Sequence, residues 1–415
     1  MATARRFAVL SLVLLVPLAG CAGALPGGGA QTTAATATTT TTTAPPTGTT
    51  TTRTTARANA SGYDVDVANG TLSFDANATF ARVQLLLGTD ADAPTVELRN
   101  LTERKGYRPG RSPFLRTFGV RNATLDRDAP GGVTPLSGKV YLHRGEGPPA
   151  RVEQVLAHEF VHATQFRTNM LPWLSALDQP RLTMDLVQAR VALVEGAAVY
   201  VTDAYTSEHL DGAAAQTARV ADEYEAADAG GKLFYARYLF GSRYVASRVD
   251  SPANVSAAYR HYPRTTEQVL HNYTNREEPP APLNVTATQS LPWRHVSNDT
   301  AGELVLRVAL SSELSERRAA AAAAGWGNDV VDVYRSSRNG SAWGFAWTLR
   351  WDSPGEAAQF REAFAAYRDR RAARFRVVPV GEETVVVFAG APGFVANATA
   401  SGTPGEVTVG VREEG

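Results

Sequence analysis

The chain of 415 residues contains one cysteine, Cys21, which excludes an internal disulfide framework and any zinc site built on thiolates. A bound metal therefore has to be held by imidazole and carboxylate. Histidine is also scarce, with seven in the chain, so any regular histidine spacing is informative. Only Lys105, Lys139 and Lys232 among the 41 basic residues are lysine, and 41 acidic residues bring the formal charge to zero. That balance favours no nucleic-acid partner. Beyond the N-terminus no run is long and apolar enough to cross a bilayer, and no internal repeat is present.

The N-terminus accounts for the cysteine. Arg5 and Arg6 precede an apolar run from Phe7 to Leu18, which suits a signal peptide over residues 1–20. The run ends in Leu18-Ala19-Gly20-Cys21, which resembles a lipobox and implies a lipid on Cys21 and anchoring to the outer face of the cell membrane. Residues 21–61 are dominated by threonine with almost no large apolar side chains, so they read as a disordered spacer. Asparagine supports export independently. Of 14 Asn residues, 11 stand in Asn-x-Ser/Thr: Asn59, Asn69, Asn77, Asn100, Asn122, Asn254, Asn272, Asn284, Asn298, Asn339 and Asn397. Chance would give about three. These are the N-glycosylation candidates, and most are expected to face solvent.

The hydrophobic pattern predicts an α+β fold in two parts. Residues 62–290 read as a mainly helical domain, with helices over 76–87, 150–166, 183–205, 213–227 and 231–249. Extended segments are expected at 95–98 and 139–143, and 105–137 reads as irregular. Residues 300–415 read as a small α+β domain with an antiparallel sheet: a helix from Gly302 through Ala324, strands at 329–335, 343–351, 374–379 and 383–389, and a helix opened by Pro354. Trp343, Trp347 and Trp351 fall at even spacing on one strand, which favours core packing over stacking on a sugar. Asp329 and Asp332 read as solvated.

One motif carries chemistry. His158-Glu159-Phe160-Val161-His162 is an H-E-x-x-H sequence on a predicted helix. Four residues advance about 400°, which puts both imidazoles on one face, one turn apart. Glu159 lies about 100° round and is placed to take a proton from a metal-bound water. A third ligand is needed. His209 sits where the next helix ends; Glu195 sits mid-helix in Leu193-Val194-Glu195-Gly196-Ala197-Ala198, where an unpaired carboxylate is costly. Its rival reading is a buried ion pair with Arg190 or Arg243. Gly196 beside it weakens the helix, which implies a close approach by another backbone. Asp203, on roughly the same face, is the candidate to orient a ligand histidine.

With these residues the chain resembles the gluzincin metallopeptidases, in which two histidines and a downstream Glu hold zinc and the Glu inside the motif is the general base. The resemblance implies Zn²⁺ on His158, His162 and Glu195, Glu159 as catalytic base, and a peptide or protein substrate. The 33 residues from His162 to Glu195 exceed the interval in thermolysin-like enzymes. His271, Tyr200, Tyr262 and Arg264 are candidates to stabilise the reacting carbonyl oxygen. The 139–143 strand is a candidate to pair with the substrate. The lipobox, the Thr spacer, the stretch Tyr262 to His271 and the segment Gly325-Trp326-Gly327-Asn328-Asp329 further resemble surface lipoproteins of salt-loving archaea, although the neutral charge is unlike the acidic surfaces of that habitat. The alternative reading is a non-enzymatic surface binding or adhesion protein that retains the zincin-like fold.

Overall fold

The structure, a computed structural model, describes residues 62–102, 106–175 and 180–412. Cys21, the Thr-rich spacer and Asn59 lie outside them. The described chain is α+β, and its first sheet is small and mixed. Strands β1 (Val67–Ala68), β2 (Val96–Leu98), β3 (Gly131–Val133) and β4 (Val140–His143) lie in the order β1-β2-β4-β3. β1, β2 and β4 are parallel; β3 closes the edge antiparallel to β4. The 105–137 stretch thus holds more order than its Pro, Gly and Arg content indicated: it supplies β3 and a short helix, α2 (Pro113–Thr117).

Several of the helices start where the preceding side chain satisfies one of the first unpaired N–H groups. Asp75 accepts from Asn77 N ahead of α1 (Ala76–Leu87). Pro149, with its fixed φ, opens α3 (Pro149–Arg167), and the short α4 (Pro172–Ser175) follows. Thr183 accepts from Leu186 N ahead of α5 (Met184–His209), and Asp228 from Gly231 N ahead of α7 (Ala229–Ala246). Between the last two runs α6 (Gln216–Ala226). Two short helices, α8 (Ser256–Arg260) and α9 (Thr266–His271), end this part.

α5 is buried on nearly every face, which explains its uncharged stretch. The Gly196 expectation holds: a Cβ there would meet the Gly241 carbonyl carbon of α7 at 2.0 Å, and one on Gly241 would meet Ala192 O at 1.9 Å. The two backbones touch, and only glycine lets them.

In the C-terminal part, strands β5 (Asn284–Ala287) and β6 (Trp293–Asp299) lie ahead of residue 300, where the small α+β domain was expected to begin. The single helix expected after Gly302 breaks into α10 (Gly302–Ser311) and α11 (Glu316–Ala323), because Ser315 caps a new start by accepting from Arg318 N. β7 (Trp326–Ser336), β8 (Trp343–Trp351), α12 (Pro354–Arg368), β9 (Phe375–Pro379), β10 (Thr384–Gly390) and α13 (Pro392–Asn397) follow, then β11 (Ala398–Gly402) and β12 (Glu406–Val411). An antiparallel five-stranded sheet runs β6-β7-β8-β10-β9, and a three-stranded one runs β11-β12-β5. Since β5 pairs with β12, this part reaches back to Asn284.

One face of the large sheet joins the helical core. Trp347 packs on Phe114 and Phe118 with ring centroids 5.2 and 4.9 Å away, and Trp351 stacks on Phe360. These tryptophans are core, as their spacing indicated. Asp329 and Asp332 are fully buried, against the expectation of solvation. Each has partners that make burial tolerable: Asp329 receives backbone N–H groups, and Asp332 receives His295 at 2.8 Å. Of the ten described sequon asparagines none is buried; Asn77, Asn298 and Asn397 are half-buried and the rest exposed.

Candidate metal centre

α3 and α5 pack side by side and bring three side chains to one point. His158 and His162, one turn apart on α3, stand edge to face with ring centroids 4.7 Å apart. Their Nε2 atoms are 3.1 Å from each other. Glu195 Oε2 of α5 lies 3.3 Å from His158 Nε2 and 3.2 Å from His162 Nε2. The alternative partners of Glu195 are engaged elsewhere: Arg190 lies over the rings of Trp173 and Tyr262, and Arg243 over Phe240. His209 is on the last turn of α5, against the Tyr205 ring.

The other ring nitrogens fix the tautomers. Gln165 Nε2 donates to Val194 O at 3.1 Å and to Tyr259 Oη at 2.8 Å, so its Oε1 is the end that faces His162 Nδ1 at 2.7 Å. Gln216 Oε1 faces His158 Nδ1 at 3.2 Å. Each amide oxygen accepts the Nδ1–H, which leaves the Nε2 lone pair of each imidazole turned toward Glu195. With both rings in that tautomer three electron-pair donors point at one another, and Glu195 Oε1 is buried with no hydrogen-bond partner. Such an arrangement is satisfied by a cation. The separations of 3.1–3.3 Å approach the roughly 3.3–3.4 Å between tetrahedral ligands at zinc bond lengths of about 2.0–2.1 Å. His158, His162 and Glu195 therefore fit a metal ion.

Without a cation the same buried groups would share a proton instead. Burial pushes the His158 imidazole down to about 4 against the pull of Glu195. Burial acts the same way on His162, but the charge and hydrogen bond of Glu195 outweigh it and hold it up at about 9. Burial would raise Glu195, yet the two imidazoles hold it down at about 2. Glu159 responds mostly to burial, which lifts its carboxyl to about 7 against His162 and Thr134.

Glu159 leaves the ligand face and turns toward β3. Thr134 Oγ1 donates to Glu159 Oε2 at 2.7 Å, and its Oε1 carries no hydrogen bond among the described residues. A Cβ on Gly132 would meet Glu159 Cγ at 2.3 Å, so glycine is required where the strand passes over this carboxyl.

Several sequence expectations change here. Asp203 does not touch a ligand histidine. It accepts from Gln216 N and Thr217 N at the start of α6, and so holds in place the Gln216 side chain that orients His158. His271 is paired with Glu303 at 2.9–3.0 Å and stacks on Tyr273, so its described contacts give it a role in packing α9 against α10. Tyr200 reaches Val249 O, while Tyr262 lies against Trp173 and under Arg264; none of the four is bonded to the triad. β4 lies between β2 and β3 with both edges used, so it has no free edge for a substrate; β3 and β1 are the edge strands. Thr134, Gln165, Gln216 and Gly132 escaped sequence reasoning. Gln165 alone left a signal, three residues beyond His162 on the same helix.

Residues 289–410 match a family model described as Domain of unknown function (DUF8575), a span that holds the five-stranded sheet, leaves out β5 and excludes the α3–α5 site. No curated protein and no solved structure matches the chain.

Proposed function

We propose that this chain is a zinc-dependent hydrolase of the peptidase type, with a zincin-like arrangement of α3, α5 and the first sheet, carried on the outer face of the cell membrane by a lipid on Cys21. The observation behind this reading is the convergence of two lone-pair nitrogens and a carboxylate oxygen within 3.3 Å, each nitrogen's ring fixed by a glutamine. His158, His162 and Glu195 would hold the zinc, which lowers the pKa of a bound water to about 7 when present. Gln165 and Gln216 keep both imidazoles in the ligating tautomer. Thr134 restrains one oxygen of Glu159 and leaves the other to accept a proton and pass it to a leaving amine. The free edge of β3, beside Glu159, replaces β4 as the place where an extended peptide would add.

One observation favours the second reading, a surface binding or adhesion protein with a structural metal. His158, Glu159, His162 and Glu195 are each only 1–2% exposed, and closed sites are typical of structural zinc. A structural site, however, has no use for Glu159 beside it. The deciding experiment is Glu159→Gln, with zinc content and peptide hydrolysis measured on the same preparations. The enzyme reading expects full zinc and a loss of about 10²–10⁴-fold in turnover. Wild-type protein without zinc, or hydrolysis spared in the variant, defeats it; zinc without hydrolysis in the wild type leaves the structural reading.

A further inference from the structure

Far along the chain from the histidine pair, three carboxylates from three separate segments converge. Glu267 belongs to α9, Glu278 to the connector that leaves it, and Asp352 to the turn after β8. One oxygen from each lies within 4.8 Å of the other two. Two of the three are open to solvent in part, but Glu267 is only 3% exposed.

Glu267 is set apart from other buried acids nearby by what it lacks. Asp185 receives Thr266 N and Thr266 Oγ1 at 2.8 and 2.6 Å, and Glu303 receives His271. No hydrogen bond or ion pair reaches the Glu267 carboxyl among the described residues. The charges that act on it, Glu303, Asp352, Glu278 and Asp185, are all acidic. Arg350, the cation that acts on Asp352, is committed to Pro282 O and Glu383. A carboxyl buried among acids must hold a proton or share a cation. Burial and these neighbours push its pKa up to about 10 when the proton is the only choice.

We propose that Glu267, Glu278 and Asp352 bind a divalent cation of the Ca²⁺ type, which ties the helical part to the C-terminal sheet. The donor set is oxygen alone, which selects a hard cation over zinc or copper. A spread of up to 4.8 Å suits Ca²⁺–oxygen bonds of about 2.3–2.6 Å, which put opposed ligands roughly 4.6–5.2 Å apart. The exposed side of Asp352 and the half-buried Glu278 give an entry from solvent and room for water ligands. The three ligands come from α9, the connector and the end of β8, so the ion would join segments that the backbone alone leaves to pack separately. The site shares no ligand with the histidine site and stands or falls apart from it.

The test uses the full chain freed of calcium, titrated with CaCl₂ by calorimetry and followed by thermal unfolding, with MgCl₂ as control. One Ca²⁺ should bind per chain, and the melting temperature should rise with its concentration. Glu267→Gln should weaken binding at least about tenfold, melt no lower than calcium-free wild type because the carboxyl is already neutral there, and no longer respond to calcium. Asp352→Asn, at an exposed position where folding is not at risk, should weaken binding equally and keep its zinc. The proposal is overturned if the wild type binds no Ca²⁺, or if Asp352→Asn keeps wild-type calcium affinity within about twofold. It is also overturned if Glu267→Gln still responds, which would mean that the carboxyl carries a proton instead.

Discussion

Glu195 and Asp329 are both buried carboxylates, one in the helical part and one in the C-terminal part, and their surroundings are opposite. Asp329 Oδ1 accepts from Ala301 N at 2.8 Å, and its Oδ2 accepts from Gly302 N and Trp326 Nε1 at 2.7 and 2.9 Å. It caps the start of α10, where unpaired N–H groups need an acceptor. Glu195 receives no backbone N–H among the described residues: its Oε2 faces the Nε2 atoms of two imidazoles, and its Oε1 has no hydrogen-bond partner. A buried charge is therefore not by itself a functional signal. The kind of atom turned toward it separates a fastening in the fold from a place for a cation.

That contrast can be broken by substitution. The largest effect is expected at Glu195→Gln, which should lower zinc affinity by more than about 100-fold, beyond the range typical for outer partners of a metal, with the fold retained by circular dichroism. Stoichiometric zinc in that variant would put Glu195 on a level with Asp329. Next, Gln216→Ala should cost about 10–100-fold in zinc affinity by freeing the His158 tautomer, and Asp203→Ala should follow it in the same direction and by less, since Asp203 acts through the start of α6. Competition with a chromophoric chelator measures all three.

Asp329→Asn should leave zinc content unchanged and lower unfolding stability by about 1–3 kcal/mol in denaturant titrations, because one amide oxygen cannot serve three donors. The smallest expected effect is in the pH profile. Burial raises the Asp329 carboxyl to about 6, against its ordinary 3.8. A raised acid costs stability as it ionises, so its contribution declines as pH rises from about 3.8 to 6 and is flat above. Asp329→Asn should remove that slope; an unaltered profile would mean that the aspartate is not the group that titrates.

Much of the site was legible in sequence because it is local. His158, Glu159 and His162 lie within two turns of one helix, where 3.6-residue periodicity fixes their faces. Glu195 was legible for a different reason: an acid in an uncharged helix is improbable without a partner, and the neighbouring Gly196 marked the contact with Gly241. The residues that orient the imidazoles were not legible. Gln216 is 58 positions from His158, and a glutamine in a helix has no spacing that points anywhere. Gly132 lies in a strand of three residues, too short for alternation to show, and Thr134 lies just past its end. Asp329 and Asp332 misled because an acid in a strand pattern reads as a solvent-facing position until cross-strand and capping partners are known.

By itself the sequence determined the helical spacing of the two imidazoles, a candidate carboxylate to join them, the close helix pair at Gly196, and the aromatic seam of the C-terminal sheet. These rest on periodicity and on the cost of placing a given residue type in a given local setting. Tertiary structure alone decided which strand became the edge beside Glu159, which amides fixed the tautomers, that His271 pairs with Glu303, and that Glu267 sits among acids without a donor. Each of these depends on contacts between segments distant in the chain, and local propensity carries no record of which distant groups will meet.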